Sequence, residues 1–400
     1  MTAQNTLASY GSVAKTLHWL TALLIISLFP LGFVANEWPQ DLPEEIAVKA
    51  TLFSIHKTLG VAVFFVALIR IVWTVSQIKP LLLNAEHRLE AFLAEAMHSL
   101  LYLSLVLVPL SGWIGHAATT GFAPIFWPFG QSLPFVPKSP ELAAFFETTH
   151  EVLVKVLLAA LALHTLGALK HAIIDRDGTL ARMWFGGRAV PQPPEVPHSR
   201  TPKLAALGVY GLALAAAAAI GLAETREERG EVATLAAVQS DWNVVEGELR
   251  FTVAQMGQQV EGSFAEWTAA IRFSETPVEG RHGDVEVTIA MGSVTLGSVT
   301  NEVKGSDYFN VEAFPTATFT ADILPAETGY VAEGTLELRG ISQPVTLPFA
   351  LEIDGTTARM QGTTALDRRD YEIAPSFQDE STVGFGVDVT IDLTATQGTS

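Results

Sequence analysis

The sequence predicts two unlike parts: an all-α membrane bundle, then an all-β antiparallel barrel or sandwich. Three observations carry that expectation. Five apolar runs fall within the first 222 of 400 residues. From residue 241 onward, continuous apolar runs give way to alternation of apolar and polar residues. Charge and histidine divide at the same place. Residues 1–222 hold 14 Lys+Arg, 13 Asp+Glu and nine of the ten His, whereas residues 223–400 hold 10, 29 and one. The formal charge of −18 therefore belongs to the second part, and its acidity argues against a nucleic-acid partner. With no cysteine, thiolate catalysis, disulfides, iron–sulfur clusters and Cys-ligated zinc are excluded.

The five runs are 17–34, 55–75, 97–113, 152–169 and 204–222. Each approaches the roughly 20 residues that cross about 30 Å of hydrocarbon. The first lacks the charge and the small-residue cleavage site of a signal peptide, its flanking charge being Lys15. The fifth is a Gly/Ala-rich stretch whose length and lack of charge favour a span. Basic residues mark one side of the membrane: Lys15, Lys79, Arg88, Lys170, Arg176, Arg182, Arg188, Arg200 and Lys203. Loops on the other side carry Lys49 and Lys138 beside Glu37, Asp41, Glu44 and Glu45. The positive-inside rule then puts the N-terminus in the cytoplasm, and five crossings put the second part in the periplasm of a bacterium.

Histidines within the spans are costly and mark function by default. His18 opens the first span, His56 the second, His98 lies early in the third, and His150, His164 and His171 lie along the fourth. His150 and His164 are fourteen residues apart, within about 40° of one face and separated by about 21 Å along the axis. Topology then pairs them by depth, His56 with His150 and His18 with His164. Two bis-His pairs stacked across four helices suit two b-type haems, which need no covalent cysteine attachment. His171 sits on the same face as His164 and rivals it. His98 is open to quinone chemistry, proton chemistry or packing, while His87 and His116 are read as loop residues. Pairs of His do not supply the three or four ligands of a zinc site.

Several motifs here resemble the bacterial di-haem cytochrome b561 family. They are Tyr10-Gly-Ser-Val-Ala-Lys-Thr-Leu-His18, His56-Lys-Thr-Leu-Gly60, Pro109-Leu-Ser-Gly-Trp113, His164-Thr-Leu-Gly-Ala-Leu-Lys-His171 and Asp175-Arg-Asp-Gly-Thr-Leu-Ala-Arg-Met183. The likeness covers about residues 8–188. It implies a four-helix plasma-membrane cytochrome whose two haem b irons are held by His18, His56, His150 and His164, exchanging electrons with the quinone pool. It also favours His164 over His171 as the ligand. Some members oxidise superoxide and reduce quinone. Arg70, fourteen residues after His56, would either snorkel to the interface or meet a haem propionate or quinone, as would His98 and His171.

Residues 189–203 form a Pro-rich cytoplasmic linker, 204–222 a fifth, linking helix, and 223–238 a second linker. Segments 249–253, 259–264, 284–289, 317–323, 334–338, 346–353 and 386–393 then alternate, as half-wet antiparallel strands do. Residues 297–310 interrupt them as a short helix. No catalytic constellation is visible: His282, beside Gly283, reads as a turn residue without a partner. The apolar interior is supplied by Phe264, Trp267, Phe273, Phe309, Phe314 and Phe319, either as a closed core or as a lipid-binding lining.

Within 239–396, three further stretches are similar to the YceI family. These are Asp307-Tyr-Phe-Asn-Val-Glu-Ala-Phe-Pro-Thr-Ala-Thr-Phe319, Gly334-Thr-Leu-Glu-Leu-Arg-Gly-Ile-Ser-Gln-Pro-Val345 and Asp367-Arg-Arg-Asp-Tyr-Glu-Ile373. The resemblance implies a lipocalin-like barrel that binds polyisoprenoid chains, including quinone tails. Trp242 and Phe251 reproduce its opening strand only loosely. The combined expectation is a membrane electron-transfer protein with a tethered lipid- or quinone-binding barrel. Its rivals are a membrane-anchored isoprenoid carrier, in which redox is secondary, and a superoxide:quinone oxidoreductase.

Overall fold

The computed structural model describes residues 2–40, 42–83, 85–126, 131–186 and 199–398. The chain divides into two compact units, a helical one drawn from residues up to Ala223 and a β one that includes everything from Glu224.

The helical unit contains α1 (Ser12–Glu37), α2 (Pro43–Ser76), α3 (Arg88–Ala118), α4 (Pro140–Lys170) and α5 (Thr201–Glu231). All five have the length and apolarity to cross a membrane, and the chain is an integral membrane protein. The helices extend beyond the apolar runs because charged first turns such as Glu44 and Glu45 of α2 continue them into water. Ser139 caps α4, its Oγ accepting from Leu142 N at 3.2 Å ahead of Pro140 at the first helical position.

Ile25, Val63, Ala67 and Leu105 bury the contact between α1, α2 and α3. Leu100, Val108, Leu153, Leu157 and Ala160 of α3 and α4 form a second core, which Ala206, Tyr210 and Ala213 of α5 complete. Outward positions such as Leu23, Ile69, Val72, Leu166 and Leu212 are apolar and exposed, a surface that hydrocarbon covers and water does not. After α4, a π-helical turn (His171–Asp175) and a 3-10 turn (Leu180–Met183) fold back on α1. Lys15 Nζ donates to Trp184 O at 3.0 Å and Trp19 Nε1 to Met183 O at 2.9 Å. Arg182 Nη1 donates to Leu81 O at 2.9 Å, and its guanidinium lies over the Tyr10 ring.

Of the linker expected at 189–203, residues up to 198 lie outside the described ones, and Thr201 already begins α5. The linker expected at 223–238 is shorter than predicted, since helical backbone runs on to Glu231. The acidic sequence after Leu222 hides this continuation because charge ends an apolar run without ending a helix.

The β unit is one antiparallel sheet of ten strands. In chain order they are β1 (Trp242–Gln255), β2 (Gln258–Phe264), β3 (Trp267–Val278), β4 (Arg281–Ala290), β5 (Val294–Thr295), β6 (Thr316–Pro325), β7 (Tyr330–Leu338), β8 (Ile341–Asp354), β9 (Thr357–Asp367) and β10 (Val383–Gln397). Their spatial order is β3-β4-β6-β7-β8-β9-β10-β1-β2-β5. The sheet curls until the segment entering β1 reaches β3, where Asp241 N donates to Ile271 O at 2.9 Å and Ile271 N to Ser240 Oγ at 2.8 Å. This is the lipocalin-like barrel that the sequence predicts. A short helix, α6 (Thr300–Lys304), fills the interruption between β5 and β6.

Alternation is clearest along β8, where Val345, Leu347 and Phe349 are buried between exposed Thr346, Pro348 and Ala350. β1 is a full strand with Trp242 and Phe251 both buried, so the loose opening motif still builds a complete wall. β9 escapes the alternation pattern because its inward positions include Ala358 and Gly362. A Cβ on Gly362 would lie 3.0 Å from Phe349 Cβ and 3.1 Å from Met360 Cε, so the glycine lets β8 pack closely there.

Candidate functional site

At one end of the helical unit, side chains from four helices converge. The rings of His18 on α1 and His164 on α4 have centres 6.3 Å apart, tilted by 58°. His98 on α3 meets His164 edge-on at 5.2 Å. Arg70 on α2 places Nη2 3.1 Å from His18 Nδ1, and its guanidinium lies over the Tyr102 ring. Two metal–imidazole bonds of about 2.0–2.1 Å, with each ring centre about 1.1 Å behind its nitrogen, span about 6.3 Å. The His18–His164 separation has this value. The edge-on His98 contact is too short for an ion between the rings.

The second pair stands one helix-length away. His150 lies about 21 Å up α4 from His164, and His56 on α2 lies against Gly32 of α1. His150 Nδ1 is 2.9 Å from Val108 O and 3.4 Å from Ser111 Oγ. A carbonyl only accepts, so Nδ1 carries the proton and Nε2 is left as a lone-pair nitrogen, the form a metal takes up. Two glycines make room for these rings. A Cβ on Gly32 would lie 2.7 Å from His56 Cε1, and one on Gly112 would lie 3.0 Å from His150 Nδ1. Each glycine opens a cradle that no other residue would leave.

His171 is engaged differently. Its Nδ1 lies 3.0 Å from Asp175 Oδ2 and 2.7 Å from Asp177 Oδ2. Glu90 joins this cluster, and Lys170 Nζ is shared between Glu90 at 2.8 Å and Asp175 at 2.9 Å. A cation is thus already seated among these carboxylates. His116, expected in a loop, is on the last turn of α3. There Nε2 faces Gln131 Oε1 at 2.6 Å and Nδ1 faces Lys57 Nζ at 3.3 Å. Sequence reading missed this contact because the apolar run stops five residues before α3 does.

The barrel gathers four of the six aromatic residues singled out from sequence in two clusters. Phe264 and Phe309 pack with Phe251, ring centres 5.5 to 6.4 Å apart, against Val253, Val260 and Val294. Phe273 and Phe319 belong to a second cluster with Ile323, Leu347, Phe349 and Tyr330. Trp267 lies against Gly247, and Phe314 against Gly340. Along β10, the inward Val387, Val389, Ile391 and Leu393 are half-buried rather than sealed. Outside the membrane segments, burial first and the Asp370 charge second push the Tyr371 hydroxyl up to about 12. Arg368 is buried, donating to Gly384 O at 3.0 Å, to Ile373 O and Ala374 O at 2.8 Å, and to Phe377 O at 2.5 Å.

The family model for prokaryotic cytochrome b561 matches residues 9–186, and that for the YceI-like domain matches 241–395. The chain joins a prokaryotic cytochrome b561 domain to a YceI-like domain. Cytochrome b561 homolog 2 of Escherichia coli (strain K12) is 28% identical over 189 residues, covering 46% of this chain and 95% of the relative. A probable superoxide oxidase, CybB, of Yersinia pestis is 25% identical over 44% of this chain and 94% of its own. Among solved structures, Burkholderia cenocepacia BcnA is 27% identical, covering 39% of this chain and all of that one, with a TM-score of 0.36.

The cytochrome b561 domain brings a membrane electron-transfer role and haem b with it. It spans α1 to α4, and α5 is packed against it through Tyr210. The Tyr210 hydroxyl contacts Ser104 Oγ and lies 3.3 Å from Leu100 O. The YceI-like domain begins at β1 and holds all six aromatic residues singled out from sequence.

Proposed function

We propose that the protein is a di-haem b electron carrier of the bacterial plasma membrane, exchanging electrons with quinone, whose periplasmic barrel binds a polyisoprenoid or quinone tail. The observation that carries the first part is the 6.3 Å separation of His18 and His164. His56 and His150 would hold the second haem, with Gly32 and Gly112 leaving room for their rings. Haem, when bound, would supply one-electron redox chemistry, and these four histidines are the residues that would hold its iron. Val108 O fixes the His150 tautomer for ligation. Arg70, which faces His18 Nδ1, supplies the cation that a haem propionate would draw to itself. The distribution of Lys and Arg supports a cytoplasmic N-terminus and a periplasmic barrel. The half-buried apolar lining of β10 supports a long apolar ligand in the barrel.

Pyridine haemochrome analysis of the purified full chain, with quinol as reductant, tests this reading. Two haems b per chain are expected, and one would refute it. His18→Ala, His56→Ala, His150→Ala and His164→Ala should each lose one haem, whereas His171→Ala and His98→Leu should keep both. Mass spectrometry of the extracted lipid tests the barrel, and finding no isoprenoid would remove that half of the proposal. A second reading, superoxide oxidation coupled to quinone reduction, is favoured by the similarity to the Yersinia pestis protein. Superoxide consumption that stops when quinone is withheld would distinguish that enzyme from a passive conduit.

A further inference from the structure

His282 is the single histidine of the YceI-like domain, and its position breaks the alternation of its strand. Along β4, Val285 packs inward, while Asp284 carries an exposed ion pair with Arg272. Next to Asp284, even-numbered residues such as Glu286 therefore face outward, and His282 should do so too. It does not. Its ring stacks on Phe273 at 5.8 Å and 17°, and meets the edge of Tyr330 at 4.9 Å. Phe273 and Tyr330 belong to the inner cluster of the barrel, and Tyr330 in turn stacks on Phe349.

The cause is Gly283. Its φ of +149° is open to glycine, and a Cβ there would lie 1.8 Å from Arg272 O. The β3–β4 ladder shifts register beside it, between Phe273 and Val278. An irregularity of this kind re-aims one side chain while the rest of the strand keeps its parity. Here it turns a histidine into an aromatic box.

The tautomer of the neutral ring is also set by its partner. Nδ1 lies 2.9 Å from Ser274 O, which only accepts, so in the neutral ring Nδ1 is the donor and Nε2 presents a lone pair. Nε2 has no hydrogen bond to a described residue, yet is not among the sealed polar atoms. An acceptor held in an apolar box selects for a hydrogen-bond donor and opposes another acceptor.

We infer that His282 marks the head-group end of the barrel's lipid site and accepts a hydrogen bond from a hydroxyl-ended isoprenoid, a hydroquinone or a prenol. This rests on the reading of the barrel as a polyisoprenoid site. A quinone or an ether-capped chain offers only acceptors and binds less well.

The test uses the full-length protein in detergent under argon, with bound probe per chain measured by mass spectrometry after buffer exchange. Geranyl hydroquinone is compared with its dimethyl ether, and farnesol with farnesyl methyl ether. The wild type is expected to prefer the hydroxyl form about three- to tenfold, the worth of one hydrogen bond. His282→Phe keeps the ring stack and should abolish the preference. Discrimination within the hydroquinone pair alone would assign a quinol, and within the farnesol pair alone a prenol. A wild type that binds capped and free forms equally overturns the inference while leaving the lipid reading intact, as does a His282→Phe variant that still discriminates. Failure to retain any of the four probes overturns the lipid reading itself.

Discussion

The Nδ1 of His150 lies 2.9 Å from the carbonyl oxygen of Val108, the residue before Pro109 in α3. This contact orients the ring across the α3–α4 interface and fixes which nitrogen is free. Gly112, one turn further on, keeps the space beside the ring open. Gly112→Ala would put a methyl group 3.0 Å from Nδ1 and displace the imidazole. Gly32→Ala should do the same to His56, from 2.7 Å. Each variant is expected to lose the haem of that pair or shift its potential, with the His18–His164 centre unchanged, as read by redox titration of the visible spectrum.

Tyr210 should anchor α5 to the bundle. Its hydroxyl is buried between Ser104 Oγ and Leu100 O. Tyr210→Phe leaves both without that partner and should lower stability by about 0.5–2 kcal/mol, the range for polar contacts between membrane helices. Thermal unfolding in detergent would register this. Haem content should not change, since α5 contributes none of the proposed ligands.

Arg368 holds the loop between β9 and β10 by donating to four carbonyl oxygens at 3.0 Å or less. Lysine keeps the charge but not the fork. Arg368→Lys is therefore expected to cost about 3 kcal/mol or more, because several buried acceptors lose their donors together. The loss of strand signal in circular dichroism at lower denaturant measures it.

Alkaline pH should weaken the barrel through Tyr371. Burial, reinforced by Asp370, raises its pKa from the ordinary 10 to about 12 in the folded state. The neutral hydroxyl is the form the fold favours, so this contribution is complete below pH 10 and declines as pH rises through about 12. A plot of unfolding midpoint against pH should fall over that window. Tyr371→Phe should flatten the fall, and an unchanged slope would show that other groups carry it.

Much of this architecture is legible in the sequence. The apolar runs locate all five helices because a span must be apolar throughout, and depth along those helices is the basis for the proposed pairing of the histidines. What stayed hidden were features with no period. Beyond its apolar run α3 continues through Ile114, Gly115, His116 and Ala117 to Ala118, which turns His116 from a loop residue into a helical one. The inward face of β9 is built partly from Ala358 and Gly362, whose small side chains carry little apolar signal. His282 reads as a turn residue in the sequence because the parity of its strand is broken at Gly283, a backbone event that composition does not report. Arg70 reads in the sequence equally as a snorkelling arginine or a propionate partner, because spacing alone does not report that its guanidinium faces His18.

That one helix, α4, carries both His150 and His164 also limits how this gene can drift. Inserting a single residue between them would swing one imidazole by about 100° off its stripe, while four would restore the azimuth yet lengthen the gap by about 6 Å. Substitution between the two is tolerable wherever volume is kept, but insertion or deletion is not. The segment behaves as a ruler, whose length natural variation should conserve more strictly than its letters.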